Sequence, residues 1–502
     1  MKQTYKIFLV DWSATNEVHW AAALELTKRR CEIVYWIGEP PPRRTAFRGT
    51  IFQGMQEALL AQPVDGIDCS RFEPPSRRLL EQLSECESLT LCMMDRVDYS
   101  NVSFHRKKRL YYNLLKHWHG VLQHKRPDAI VFSTTPHAIY DFVLYSLAKL
   151  FLIKTIIFLP VVGVHTRFRS LVISDIQKES KELLQVLQGS PNVRLEDLSK
   201  DIQDYYLLSE NIPKDASRSS SHAALFGRVW ASVQSGDFFL KIFLRAKWYV
   251  WYIFYIRPKR WFGIDPAYAG LAYWRKRWEW HRAKENFKKE YESLQLAVDW
   301  SKKFIFAPLH YQPERSTSPE GGVFADQFLM IDILSHAAPP DWVIYVKEHP
   351  RKWTRRAHMH QSRHKGYYKE IVSLPNVRLV PMDIPSGVFI ERCQAVATIT
   401  GGIGWEAIVR GKPALVFGYP AYKECTEIFK VSDVASVREA IGKIRDGYTP
   451  DQQKILNYLG ALDKVSVRAQ ADLNFYKKFP VHSAGETAKN IADAVFNELQ
   501  KA

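Results

Sequence analysis

Thr400-Gly401-Gly402-Ile403-Gly404-Trp405-Glu406-Ala407 is the run that decides how this chain folds. Residues 394–399 before it are apolar enough for a buried strand. The glycines permit a tight turn and close backbone approach, and residues 405–410 have the length of a short helix closed by Gly411. A second apolar run, 414–417, follows Pro413 at once. Strand, glycine turn, helix and strand make an α/β unit whose helix start offers free backbone N–H groups to an anion at the strand ends.

Some fifty residues upstream the same grammar recurs: Val343-Ile344-Tyr345-Val346 reads as a strand and delivers Lys347-Glu348-His349-Pro350 to its carboxyl end. Open α/β sheets bind ligands along that edge, so Lys347, His349 and Glu406 are expected to converge on one nucleotide. Taken singly, each signal is weak. A lone histidine is more often a satisfied one, and Gly401-Gly402-x-Gly404 lacks the full dinucleotide fingerprint. Their pairing at two strand ends is what points to a site.

With Phe306-Ala-Pro-Leu-His-Tyr-Gln-Pro-Glu314 and Gly411-Lys412-Pro413 added, residues 300–425 resemble the bacterial capsule polysaccharide synthase family. That family is similar to the Kdo transferases of capsule and lipopolysaccharide assembly, which have the GT-B glycosyltransferase fold. The resemblance implies an α/β, GT-B-like chain: two doubly wound Rossmann-type domains facing a cleft, with a helical basic-aromatic insertion between them. It makes His349-Pro350 the nucleotide-phosphate motif, sets Gln312-Pro313 beside the reacting sugar and suggests CMP-activated Kdo as donor. His310, Lys347, His349, Pro350, Thr400, Gly401, Gly402, Gly404 and Glu406 are the expected nucleotide-sugar contacts. The expected division is 1–207, an acceptor-side domain; 208–300, a linker and basic-aromatic segment; 301–480, the nucleotide-sugar domain; and 481–502, a final helix crossing back to the first domain.

At 502 residues the chain suits two or three domains, and its formal charge of +17 calls for anionic partners. Six scattered cysteines show no paired spacing, which fits a reducing compartment. The first apolar run stops at Asp11, too short for a signal-peptide core, so the expected location is cytoplasmic. No nucleic-acid-binding motif is present, and no zinc, P-loop or Asp-x-Asp pattern calls for a metal or cofactor. His358 and His360 read as solvated loop residues.

The N-terminal half opens strand, polar loop, helix, strand over residues 5–36. Its loop sets Asp11, Ser13 and Glu17 at a strand end, as an acceptor site or catalytic base, or simply as a helix cap with a first-turn acid. Further on, the buried strand 129–133 leads to His137 and Asp141, one helical turn apart: site candidates, or a cap and a solvated histidine. Catalytic candidates are therefore Glu17, His137, Asp141, Gln312 and His349.

Residues 238–261 mix aromatic rings with cations, among them Trp248, Trp251, Arg257, Lys259, Arg260 and Trp261. Their longest charge-free part, 248–256, is far short of the roughly twenty residues that span a bilayer. Rings and cations suit an anionic membrane interface, here the inner face of the cytoplasmic membrane; a buried helix is the plain alternative. The expected protein is a peripheral membrane glycosyltransferase using a nucleotide-sugar donor and a polysaccharide or glycolipid acceptor. A sugar-nucleotide epimerase, a CDP-glycerol-type phosphotransferase and a non-catalytic membrane binder are the other readings.

Overall fold

The computed structural model describes residues 4–40, 46–98, 102–161, 168–189, 192–210, 271–312, 314–353, 363–472 and 483–501. Residues 238–261, with Trp248, Trp251, Arg257, Lys259, Arg260 and Trp261, lie outside them, as do Pro313, His358 and His360.

Two α/β lobes each carry a six-stranded sheet. The first comprises β1 (Tyr5–Val10), β2 (Cys31–Ile37), β3 (Ile51–Gln53), β4 (Ala129–Phe132), β5 (Lys154–Pro160) and β6 (Ser170–Ile173), in spatial order 3-2-1-4-5-6. The second comprises β7 (Lys303–Pro308), β8 (Trp342–Lys347), β9 (Val377–Leu379), β10 (Ala395–Thr398), β11 (Ala414–Val416) and β12 (Phe429–Lys430), ordered 12-11-10-7-8-9. Central strands such as Ile7-Phe8-Leu9-Val10 are fully buried, as continuous apolar runs must be when helices cover both faces of a parallel sheet. This is the GT-B-like pairing of Rossmann-type lobes. One strand departs from it: β6 runs antiparallel to β5, because the connection from Pro160 to Ser170 is shorter than the dozen or so residues of a parallel crossover.

Helices α1 (Glu17–Lys28), α2 (Ser84–Val97), α3 (Tyr140–Leu150) and α4 (Lys200–Glu210) belong to the first half of the chain. Helix α5 (Leu271–Leu294) precedes the second sheet. It is not a freely solvated connector. Trp278 is 60% exposed, but Tyr291 near its end is fully buried, donates to the Val380 carbonyl at 2.5 Å and accepts from the Glu348 amide at 3.2 Å. Helix α6 (Gly402–Val409) starts three residues earlier than the sequence spacing suggests, since Gly401 itself serves as its N-cap. Helices α7 (Gln452–Val465) and α8 (Ala484–Gln500) follow.

Three contacts bind distant parts of the chain. Arg169, 1% exposed, grips Asp201 of α4 through two bonds of 2.6 and 2.9 Å and meets Asp463 of α7 at 3.1 Å. On α4, Tyr205 stacks against Trp405 of α6 with ring centroids 5.4 Å apart, and the Trp405 indole donates to the Ser209 hydroxyl at 3.1 Å. Finally, α8 lies along α1, where Asp493 pairs with Arg29 at 2.7 Å and Ile491 and Val495 are fully buried. Among the described residues, no helix is long and apolar enough to cross a membrane.

Candidate functional site

Strands β7, β8 and β10 end beside one another, and at their carboxyl ends lies a cavity of about 400 Å³. Its lining includes His310, Lys347, His349, Pro350, Gly401, Gly402 and Glu406, drawn from three separate sequence runs. Thr400 sits just outside the lining, with its hydroxyl donating to the Ser316 carbonyl at 2.6 Å.

The glycines do different work. A Cβ on Gly404 would stand 2.4 Å from the Tyr422 hydroxyl, and one on Gly401 2.7 Å from Thr398 Oγ1, so both are required for packing. Gly402 faces open space. Thr398 Oγ1 accepts the Gly401 amide at 3.1 Å, which leaves the first-turn amides of α6, at Gly402 and Ile403, as donors for an anion. His310 underpins this turn. Its Nε2 lies 3.1 Å from Thr398 Oγ1 and accepts from the Ile399 amide at 3.3 Å and, at the limit, from Thr400 at 3.4 Å. Burial holds the ring down to about 4, so it is a neutral pin for the glycine turn.

At the β8 corner, Glu348 is wholly buried and accepts from Arg363 Nε at 3.1 Å and the Tyr368 hydroxyl at 2.6 Å. That fixes the backbone on which its two neighbours stand. The Lys347 ammonium donates to the Ile384 carbonyl and reaches Ser386 Oγ at 3.4 Å; burial lowers it to about 8, leaving it mostly charged at neutral pH. The Arg351 amide donates to His349 Nδ1 at 3.2 Å, which places the ring proton of the neutral imidazole on Nε2. Burial lowers this histidine's affinity for a second proton. The Tyr311 ring lies 5.7 Å from it. An Nε2–H donor, an ammonium and two helix amides around one cavity can hold a phosphate group and stabilise it as it leaves.

Gln312 stands elsewhere. Its amide donates to the Ala325 carbonyl and accepts from Arg363 at 2.7 Å, and its carbonyl accepts from Lys352 at 2.6 Å, so it braces the β7 exit and lines a neighbouring recess.

In the first lobe, Asp11, His137 and Asp141 gather at the carboxyl ends of β1 and β4. The Ser133 hydroxyl donates to Asp11, whose carboxyl burial pushes up to about 6. Asp141 accepts the amides of His137, Ala138 and Phe142 at 2.7–2.9 Å, closing the start of α3; burial nevertheless raises it to about 7. His137 is held down to about 3 by burial, with Arg96 and Arg315 adding to the effect, and its Nδ1–H donates to the Thr135 carbonyl. Glu17 does not join this group: it is exposed on the first turn of α1, where Asn16 caps the helix. Among the described residues no first-lobe residue lines the cavity; the lobes touch where Arg315 donates to Thr134 Oγ1 at 3.1 Å.

Sequence reading passed over Tyr311, Glu314, Ser316 and Ser386, all of which line the cavity. Ser386 had a signal, since it opens the helix Ser386–Arg392 soon after a strand, the same pattern as at Gly402.

Residues 274–425 match the family model described as "Capsule polysaccharide biosynthesis protein". The matched stretch spans most of α5 and the residues that line the cavity. Protein FixF of Sinorhizobium fredii is 25% identical over 167 residues, 33% of this chain and 38% of that protein. Among solved structures, the beta Kdo 2,7 transferase of Thermosulfurimonas dismutans KpsC is 18% identical, covering 36% of this chain and 57% of that one, with a TM-score of 0.23. UDP-GlcNAc 2-epimerase from Neisseria meningitidis, solved with UDP-GlcNAc, is 12% identical over 99% of this chain and 100% of its own, with a TM-score of 0.21. The chain therefore spans less than two thirds of FixF and of the KpsC transferase.

Burial raises Glu406 from 4.5 to about 6, against the pull of Arg410. A carboxyl with a raised native pKa contributes stability that is fully present below 4.5 and is lost as pH rises through 6. Relative to Glu406→Gln, the parent should lose up to about 2 kcal/mol between pH 4.5 and 7 and stay level above. Thermal denaturation of both proteins across that range tests this; parallel curves would mean Glu406 titrates normally.

Proposed function

We propose that this chain is a glycosyltransferase that moves a sugar from a nucleotide-activated donor in the second lobe to a growing bacterial surface polysaccharide or lipid-linked acceptor. The observation that carries the reading is the meeting of Lys347, His349, Glu406 and the amide end of α6 around one cavity at the strand ends. In this reading the α6 amides and Lys347 hold the donor phosphates, and His349 donates its Nε2 proton to the leaving oxygen. Glu406 accepts hydrogen bonds from ribose or sugar hydroxyls. The half-buried Asp11 and the buried Asp141 lie at the matching strand ends of the lobe assigned to the acceptor.

CMP-activated Kdo is the first donor to test, given the resemblance of the motifs. A thermal-shift comparison of CMP, UDP, GDP and CDP should single out one nucleotide, stabilising the chain by about 2.7 kcal/mol at a hundredfold excess over Kd. The sugar nucleotide so chosen should then release nucleotide only when acceptor is present. Stabilisation by none of the four would overturn the reading, and sugar interconversion without acceptor would favour the epimerase alternative.

The enzyme works at the inner face of the cytoplasmic membrane, held there by residues 238–261, where rings and cations alternate in a chain of net charge +17. Anionic vesicles should sediment the protein, and raising salt from 50 to 500 mM, as a rough range, should release it as screening lengths shorten. A Trp248, Trp251 and Trp261 triple alanine variant that sediments equally well would refute attachment through this segment.

A further inference from the structure

Between two residues that line the donor cavity, Glu314 and Ser316, one side chain turns the other way. Arg315 sends its Nη1 to Thr134 Oγ1 of the first lobe, donating at 3.1 Å across 181 residues of sequence. The second lobe holds this arginine in place. Its Nε meets the carboxylate of Glu320, itself 8% exposed, at 2.9 Å. The turn that carries it closes on itself, with the Thr317 and Ser318 amides both donating to the Glu314 carbonyl at 3.1 Å. That turn is fastened to the strand ends by the Thr400 hydroxyl, which donates to the Ser316 carbonyl at 2.6 Å, and by the Tyr419 amide, which donates to the Glu320 carbonyl at 2.9 Å. A planar guanidinium fixed in this way loses little further freedom in making one more hydrogen bond.

What Arg315 grips is a stiff corner. Thr134 is 4% exposed and follows β4. The residues after it are tied to one another: His137 Nδ1–H donates to the Thr135 carbonyl at 2.7 Å, Arg96 donates to the His137 carbonyl at 2.6 Å, and Asp141 accepts the His137 and Ala138 amides. Ser133, just before it, donates to Asp11. A displacement of Thr134 is therefore shared by Asp11, His137 and Asp141. Misplacing reacting partners by about 1 Å costs a transfer up to about 10²-fold in rate, so whatever fixes this corner matters to the chemistry.

We propose that Arg315 and Thr134 are a positioning pair: they set the corner that carries Asp11, His137 and Asp141 against the donor cavity, and an occupant of the cavity that meets Glu314 and Ser316 tightens their hold. The assignment rests on the glycosyltransferase reading above. Both residues act through the groups they place and not on the reacting atoms.

Hydrogen-exchange mass spectrometry on the full chain tests the pairing, read at peptides covering residues 133–142 with CMP, UDP, GDP and CDP added in turn. The nucleotide that gives the thermal shift should slow exchange there about fivefold in the parent, the effect of one hydrogen bond. Thr134→Val, which keeps the shape but loses the acceptor, and Arg315→Met should each abolish that slowing while the nucleotide thermal shift stays. Thr134→Ser, which keeps the hydroxyl, should retain it. A merely structural contact would change exchange equally with and without nucleotide. Because Thr134→Val leaves the ion pair of Arg315 with Glu320 intact, its result stands even where Arg315→Met fails to fold. Undiminished slowing in Thr134→Val, or its loss in Thr134→Ser, would overturn the pairing. So would a parent that shows the thermal shift without any slowing; if no nucleotide shifts the parent, the enzymatic reading falls as well.

Discussion

Replacing His349 by alanine is expected to lower turnover by about 10² or more while the protein stays folded, because the proposed function makes the imidazole the proton donor to the departing phosphate oxygen. The fold should tolerate the change, since the corner is fixed by Glu348, Arg363, Tyr368 and Tyr291 rather than by His349. Glu406→Ala gives the contrast. Contacts to ribose hydroxyls form before the transition state and persist through it, so its loss should chiefly weaken nucleotide binding and leave turnover at saturation nearly unchanged. A nucleotide-release assay with the donor chosen by thermal shift separates the two. Unchanged turnover in folded His349→Ala would remove this residue from the mechanism.

The largest loss of stability is expected from Arg169→Ala, at about 3–5 kcal/mol. Arg169 is almost wholly buried and joins the start of β6 to Asp201 and Asp463 on two other helices, with Ser199 Oγ accepting at 2.9 Å. Deleting the guanidinium leaves two carboxylates facing each other without a counter-charge, which costs more than the pair itself contributes. The midpoint of urea denaturation should fall accordingly. A drop below about 1 kcal/mol would show that solvent readily replaces the guanidinium.

The second lobe was legible because its strands are short apolar runs bounded by proline, glycine or charge, and because residues at their ends line one cavity: Lys347, His349 and Glu406 meet as their spacing suggests. Side-chain roles within those same motifs were less so. His310 and Gln312 look like ligand contacts in sequence, but one is spent on backbone amides and the other on Arg363 and Ala325; such partners lie up to 90 residues away, and no local pattern encodes them. Strand β6 was not singled out in the sequence: it is only four residues long and follows Arg169, a charged residue that reads as surface but is buried. Glu17 misled for the opposite reason, since an acid in a first helical turn looks the same whether it caps or catalyses.

The lodging of α8 on α1 has a consequence for how the protein is made. Arg29 and Asp493 are 464 residues apart, and Val18, Ala22 and Leu26 of α1 share one buried cluster with Ile491 and Val495 of α8, so that cluster is complete only when α8 arrives. On the ribosome, therefore, the first lobe to be translated is the last to be finished. At roughly 5–20 residues per second, its unfinished face stays open to chaperones for tens of seconds. A chain cut between residues 431 and 483 keeps both sheets and every residue that lines the donor cavity but lacks α8, so the face of α1 on which α8 lies is left open.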